Sequence, residues 1–540
     1  MRAELVLAGR SRAVLVALPA LLLCVAGPMM VAAQGPSEVG VASSVRAAGP
    51  SPKKTTPSQK RRTPSKRTSP NRTPVRSARA AAPASAFSSP RTVPELAGNL
   101  GSVLHSSTRA GQWGVLVVSL TRGDTLYSEN PDVLLKPAST MKLMTTALAL
   151  EKFGPDHTFR TQVLADHVAN GVADNLYLRG GGDPTLSLRF WQGESPMDAL
   201  ATQIASAGIK QVRGDVIADE SAFTTERIPY GWKSSYLMSA YAAPISALSL
   251  NENIVWIVAR PAAGKAVVEL DPPSAAIPVT STVRLSGGSG GRISAHRTSD
   301  GGIAVSGSIG ASSGPRRYSL VVQEPPTYAG GALVASLQKA GVQVTGRVRA
   351  GVAPAGTSQV AEVHSLPLAN IVSYMNRESI NHFAELLFRD AARSDTRPGS
   401  AAGGLQELRT LLTSKAGARA GDVRVVDGSG LSEADSLTAR AMVQLLSYAH
   451  RATWSSVFHA SMPVAGESEL LQRRMRATPA QGNLHAKTGT TNTVSALAGY
   501  VTALNGEVLA FSFIYNGRDR WNAKGTMDRM GPTLANFFRP

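Results

Sequence analysis

Residues 134–150, LLKPASTMKLMTTALAL, constrain the fold more than any other stretch, because the run is apolar or small almost throughout yet holds Ser139 and Lys142. A helix with apolar residues all round must be buried in the core of a sizeable domain. Residues three apart share a helix face, which sets the lysine beside the serine hydroxyl. Burial disfavours the ammonium and lowers a lysine pKa from about 10.4 by up to several units. A neutral amine at that point can take the hydroxyl proton. Ser139 also opens the helix, where free N–H groups and the dipole favour developing negative charge.

The chain of 540 residues, 43% of them hydrophobic, is too long for one core, and length suggests roughly two to four domains. Residues 1–33 read as an export signal. Arg2, Arg10 and Arg12 precede the apolar run 13–26, and Val31-Ala32-Ala33 is a small-residue cleavage site. The run is short of the roughly 20 residues that span a membrane. The one cysteine, Cys24, lies in this segment, so the mature chain has no disulfide. Leu23 before it is bulky where lipoprotein signals carry a small residue. Export to a periplasm or to the extracytoplasmic cell wall is expected.

Residues 34–93 are rich in Pro, Ser, Thr and Ala and read as a disordered linker that cannot bury enough apolar surface to fold. From Gln34 to Pro94 there are 12 Lys+Arg against one Glu, so most of the net charge of +19 belongs to this segment. Export argues against nucleic acid as its partner and favours anionic wall polymers or a membrane surface.

From Pro94 onward, strand and helix signals alternate. WGVLVVSL (113–120) and TLYSEN (125–130) flank a turn with Gly123, a hairpin signal. The Ser139 helix should stop at Phe153-Gly154-Pro155. Two amphipathic helices, 197–208 and 330–341, each end at a glycine and lead into a strand, which suggests two similar αβ units in a middle region. Residues 260–323 are Gly/Ser-rich with short β runs. The C-terminal part makes a strand group at 483–491, 494–504 and 507–517, with Asn505-Gly506 as hairpin turn, and a closing helix near 527–538.

Two further motifs give the Ser139-x-x-Lys142 pair its weight. S-x-x-K alone is cheap and recurs at Ser51 and Ser336, and S-x-N recurs at Ser69, Ser128 and Ser249. Ser379-Ile380-Asn381 at a helix start and the only K-T-G, Lys487-Thr488-Gly489 on a strand beside a hairpin, follow in order. Gly489 allows a substrate backbone to approach closely, and the N–H groups of Thr490 and Ser139 can form an oxyanion hole, each donor worth about 3 to 4 kcal/mol of barrier. Lys487 and Thr488 offer a cation and a hydroxyl to a terminal carboxylate. Ser379 can relay a proton to a leaving amine, and Asn381 can hold Lys142 and a substrate amide.

This trio resembles that of the penicillin-binding proteins. With GGGDPTL (180–186), YAAPISALSLNEN (241–253), DGSGLS (427–432), MPVAG (462–466) and HAKTGT (485–490), the chain from about Asn99 resembles the class C low-molecular-mass penicillin-binding proteins, the D-alanyl-D-alanine carboxypeptidase/endopeptidase family. The resemblance implies a mixed α+β fold: a β-lactamase/transpeptidase-like domain with an antiparallel sheet flanked by helices (94–165 and 358–540), an inserted domain (166–259 and 324–357), and a small β domain within the insertion (260–323). It implies a serine DD-peptidase acting on D-Ala-D-Ala termini and peptide cross-links of peptidoglycan, without cofactor or metal. Ser139 takes the acylated-serine role and Lys142 the base role, Ser379 is the third catalytic residue, and Asn381, Lys487, Thr488, Gly489 and Thr490 bind substrate. Stem peptides are the expected partners and β-lactams the covalent inhibitors. Ile380 departs from the pattern, standing where Asp or another polar residue is usual, and so does Ser468-Glu469-Leu470 after PVAG.

Two alternatives frame this expectation. A class A β-lactamase carries a Glu in E-x-x-x-N between its second and third motifs, and none lies between Asn381 and Lys487. A non-catalytic wall-binding or scaffold protein would be free to lose Ser139 or Lys142, and both are present. Two G-x-S-x-G strings, 287–291 and 310–314, lie in Gly/Ser loops and not at a strand-to-helix elbow. The nine histidines show no metal-ligand spacing.

Overall fold

The computed structural model describes residues 87–540 apart from 109, 192 and 193, so the expected signal and all but the end of the basic linker lie outside the described residues. The first helix, α1, spans Val93–Ser107, and its Thr92 cap accepts the N–H of Glu95 at 3.3 Å.

The half that carries Ser139 and the K-T-G strand, the catalytic half of the expected organisation, is built on an antiparallel sheet of five strands in the order Thr125–Glu129, Gln112–Ser119, Val508–Asn516, Val494–Thr502, His485–Thr490. Both hairpins fall where the turn chemistry placed them, with Gly123 and Gly506 at φ +79° and +83°. One face packs α1 and the closing helix against Val115, Val117, Phe511 and Phe513. The other face, through Leu116, Ala496, Ala510 and Ile514, packs against the helix Ala439–Arg451, in the same core as helix α2 (Met141–Phe153). Every residue of α2 from Met141 to Leu150 is buried, as an apolar run without a polar stripe requires. Gly154 at φ +79° ends it. The closing helix spans Arg520–Ala535, which corrects the expected start near 527. Its first turns carry Trp521 and Asn522 to solvent and show little apolar spacing, so the periodic signal marks only the buried half.

The middle region confirms the paired αβ units. Helix α3 (Pro196–Ser206) leads to Gln211–Val212 and Val216–Asp219, and helix α4 (Pro325–Lys339) leads to Gln343–Val344 and Val348–Ala350. Corresponding strands pair in parallel, Gln343 with Gln211 and Val348 with Val216. The β-rich segment starts at Ile254, earlier than its expected edge at 260, because the strand Ile254–Ala262 runs through that position. It pairs antiparallel with Lys265–Asp271 and Arg316–Val321.

Two strands expected in the catalytic domain lie elsewhere. Arg160–Ala165 pairs with Leu176–Gly180 and with Ser358–His364, in the sheet that also holds Val216–Asp219. The reason is hydrogen bonding: a strand belongs to the sheet that satisfies its backbone. We propose that the insertion is joined to the catalytic half just outside this strand pair. Helices α5 (Leu368–Glu378) and α6 (Asn381–Asp390) follow and pack against α2.

Candidate active site

Ser139 sits in a short 3-10 turn, Ala138–Thr140, that runs straight into α2, and its side chain is part-exposed. Ala138 has φ +45°, a left-handed conformation that costs a non-glycine residue about 1 to 3 kcal/mol and persists only where its surroundings impose it. Those surroundings are identifiable. The Asn516 side chain accepts the Lys136 N–H at 2.8 Å and donates to the Lys136 carbonyl at 3.0 Å. Gly430 and Gly489 press on the turn so closely that a Cβ on them would meet the Ala138 and Pro137 carbonyl oxygens at 2.0 and 2.6 Å.

Lys142 is fully buried, and its Nζ lies 3.1 Å from Ser139 Oγ, 2.6 Å from Asn381 Oδ1 and 2.8 Å from the Ser429 carbonyl. Burial lowers its pKa to about 7, against the opposing charges of Asp427, Glu385 and Asp435. Near neutrality a large share of the amine is therefore unprotonated. Asn381 Nδ2 donates to the Tyr241 carbonyl at 2.9 Å, so the amide is fixed from both ends.

Ser379 terminates α5 in a left-handed conformation, φ +61° and ψ +42°. Lys487 Nζ, fully buried, donates to Ser379 Oγ and to the Thr488 carbonyl, both at 2.9 Å. Burial, and then the nearby Lys142, hold the Lys487 pKa well below its ordinary value. Its strand His485–Thr490 lies at the sheet edge, where Ala486 N–H donates outward to the Pro463 carbonyl at 3.0 Å. Successive N–H groups of a strand alternate in direction, so those of Thr488 and Thr490 point to the same outer side. Gly489, packed on Pro137 and Ala138, brings that edge to the Ser139 turn. His485 opens the strand and is part-buried. All eight sequence-singled residues, Ser139, Lys142, Ser379, Asn381, Lys487, Thr488, Gly489 and Thr490, are brought to this one place. Ile380 packs against the core, which accounts for an apolar residue between Ser379 and Asn381.

The support beneath Lys142 was not assigned from sequence. The DGSGLS turn is organised by Asp427, whose carboxylate accepts the N–H groups of Ser429, Gly430 and Ser432 at 3.0, 2.6 and 2.8 Å and the Trp232 indole at 2.8 Å. Glu385, one turn beyond Asn381 on α6, accepts the N–H groups of Gly428 and Ser429 at 3.1 and 2.9 Å. These contacts aim the Ser429 carbonyl at the amine. Burial and the neighbouring Asp427 push the Glu385 pKa up. The DGSGLS string was the only signal pointing here.

The model of the family described as D-Ala-D-Ala carboxypeptidase 3 (S13) matches residues 96–537. The chain belongs to the S13 family. A D-alanyl-D-alanine carboxypeptidase of Actinomadura sp. (strain R39) is 35% identical over 478 residues, 85% of this chain and 87% of that one. The S13 fold is shared with penicillin binding protein 4 of Haemophilus influenzae, whose solved structure is 23% identical, covers 81% of this chain and 98% of its own, and gives a TM-score of 0.68. A second structure of that protein, complexed with a β-lactam, gives 0.63 over the same coverage. The likeness to these structures is one of fold.

Replacing Gly430, which has φ +77°, by alanine should push the Ala138 carbonyl and displace Ser139. We expect Gly430→Ala to slow acylation by a fluorescent β-lactam about 100-fold, the scale of a misplaced reacting group. A rate within tenfold of the parent would mean the turn yields without moving the hydroxyl.

Proposed function

We propose that this S13 chain is a serine DD-peptidase in which Ser139 is the nucleophile and Lys142 its base, cleaving D-Ala-D-Ala termini of peptidoglycan stems. The observation that carries this reading is the 3.1 Å contact between a fully buried amine near neutrality and a part-exposed hydroxyl. Ser139 Oγ attacks the penultimate carbonyl as its proton passes to Lys142 Nζ. The oxyanion of the tetrahedral adduct meets the N–H of Ser139, unpaired at a helix start, and that of Thr490 on the strand edge.

Collapse of the adduct expels the terminal D-Ala amine, which takes up, relayed through the Ser379 hydroxyl, the proton that Lys142 received, so Lys142 returns to the neutral amine. Ser379 Oγ accepts from Lys487 and so keeps its own O–H free to donate. A substrate carboxylate arriving at Lys487 and Thr488 favours the charged form of Lys487, and two amines this close disfavour charging each other, so the same event favours neutral Lys142. Water then hydrolyses the acyl-serine. When the leaving amine belongs to a neighbouring stem, the same steps open a cross-link. A β-lactam carries an equivalent amide in a ring and acylates the same serine.

The export signal expected at residues 1–33 supports a site of action outside the cytoplasm, and among the described residues no helix is long and apolar enough to cross a membrane. The basic segment 34–93 suits anionic wall polymers.

Labelled penicillin followed by peptide mapping should put the label on Ser139; label on another residue would falsify the assignment. Lys142→Met should fold yet acylate about 100-fold more slowly or worse. In the parent, only the neutral amine accepts the proton, so the acylation rate should fall as pH drops through about 7. A rate flat from pH 8 to 5.5 would remove Lys142 from the role of base. Deleting residues 34–86 should spare hydrolysis of a small peptide and weaken binding to sacculi, most at low salt. Unchanged sacculus binding would reduce the segment to a spacer.

A further inference from the structure

Ser379 holds a left-handed conformation between two helices, at the point where the inserted region reaches the end of α5. Glu378, the residue before it, ends α5, where a negative charge meets the unfavourable end of the helix dipole. Its carboxylate is paired with the guanidinium of Arg189, which lies in the inserted region between Leu176–Gly180 and α3. The other arm of Arg189 reaches Glu252 at 3.7 Å. The adjoining Phe190 packs edge-on against Tyr374 of α5, centroids 4.9 Å apart, and tilted against Phe383 of α6 at 5.5 Å.

The insertion spends considerable structure on presenting this arginine. Asn251, Glu252 and Asn253 are three consecutive residues at φ +53°, +55° and +57°, a turn no such sequence adopts cheaply. It is held by Asn251 N–H to the Leu186 carbonyl at 2.8 Å, Ser187 Oγ to Asn251 Oδ1 at 2.9 Å, and Asn253 Nδ2 to the Pro244 carbonyl at 2.8 Å. Two stretches whose role the sequence leaves open, GGGDPTL and the NEN of YAAPISALSLNEN, thus meet at Arg189 and aim it at the end of α5.

We propose that Arg189 is a positioning residue for the S13 reaction: by clamping Glu378 to Glu252 it sets the left-handed turn at Ser379, so the inserted region fixes the proton-relay hydroxyl. The inference rests on the reading of Ser139 as nucleophile and Ser379 as relay. Arg189 touches no reacting atom. Its loss lowers the rate of acylation and leaves the affinity for ligand, set by Lys487 and Thr488, nearly unchanged.

The test uses the full chain, with labelled penicillin and a D-Ala-D-Ala peptide. Arg189→Met should slow acylation and kcat about tenfold, with KM within twofold and thermal unfolding little altered, since a part-exposed ion pair contributes little stability. Arg189→Lys, which keeps one charge-assisted contact, should recover most of the rate. Glu378→Gln, nearly isosteric, should reproduce the loss, and the double variant Arg189→Met/Glu378→Gln should be no slower than either single one. If Arg189→Met does not fold, Glu378→Gln alone decides. Acylation within twofold of the parent in Glu378→Gln, or losses that simply multiply, would overturn the clamp. The parent is its own control: no label on Ser139 in the parent sinks the nucleophile assignment, whereas parental labelling with unchanged variants sinks only the clamp.

Discussion

The site depends on one buried amine. Lys142 has no exposure to water, so its nitrogen must find all its partners inside the protein: the neutral amine donates to Asn381 Oδ1 and the Ser429 carbonyl, and its lone pair is left to face Ser139 Oγ. Those partners come from the turn before α2, from α6 and from the DGSGLS turn. Satisfying one nitrogen therefore brings three separate segments together. The same burial that demands the partners also keeps the amine near neutrality and able to accept a proton.

Around this centre two strained backbone positions adjoin the candidate site. Ala138 before Ser139 and Ser379 itself are both left-handed, and each is held from outside: Ala138 by Asn516 and two glycines, Ser379 by the Glu378 ion pair and by Lys487. Such conformations survive only when neighbours over-determine them. The K-T-G strand contributes in the same way, since Gly489 lets the edge rest on the Ser139 turn.

The reacting groups were legible in the sequence because chemistry restricts residue type and order: a hydroxyl and an amine one turn apart, then S-x-N, then K-T-G. The hairpins and the end of α2 were legible through glycine and its left-handed turns. The supports were not. Glu385 and Arg389 on α6 are charged residues of the kind that usually face water, yet both are fully buried, one beneath the Lys142 acceptors and the other donating to the Glu226 carbonyl at 2.6 Å. No periodicity distinguishes a charged residue facing water from one facing a buried partner far away in sequence. The sheet that takes Arg160–Ala165 and Ser358–His364 was not legible for a related reason, since which sheet accepts a strand is decided by tertiary hydrogen bonds.

The pairing of Arg160–Ala165 with Ser358–His364 has an evolutionary corollary. Arg160 lies opposite His364, so the polypeptide departs and comes back at neighbouring positions on a single ladder. To the catalytic half, nearly two hundred intervening residues resemble a closed loop of negligible span, and the entropy of joining its ends is met locally by that ladder. A module attached in this manner can lengthen, shorten or acquire modules of its own in the parts that do not touch its host.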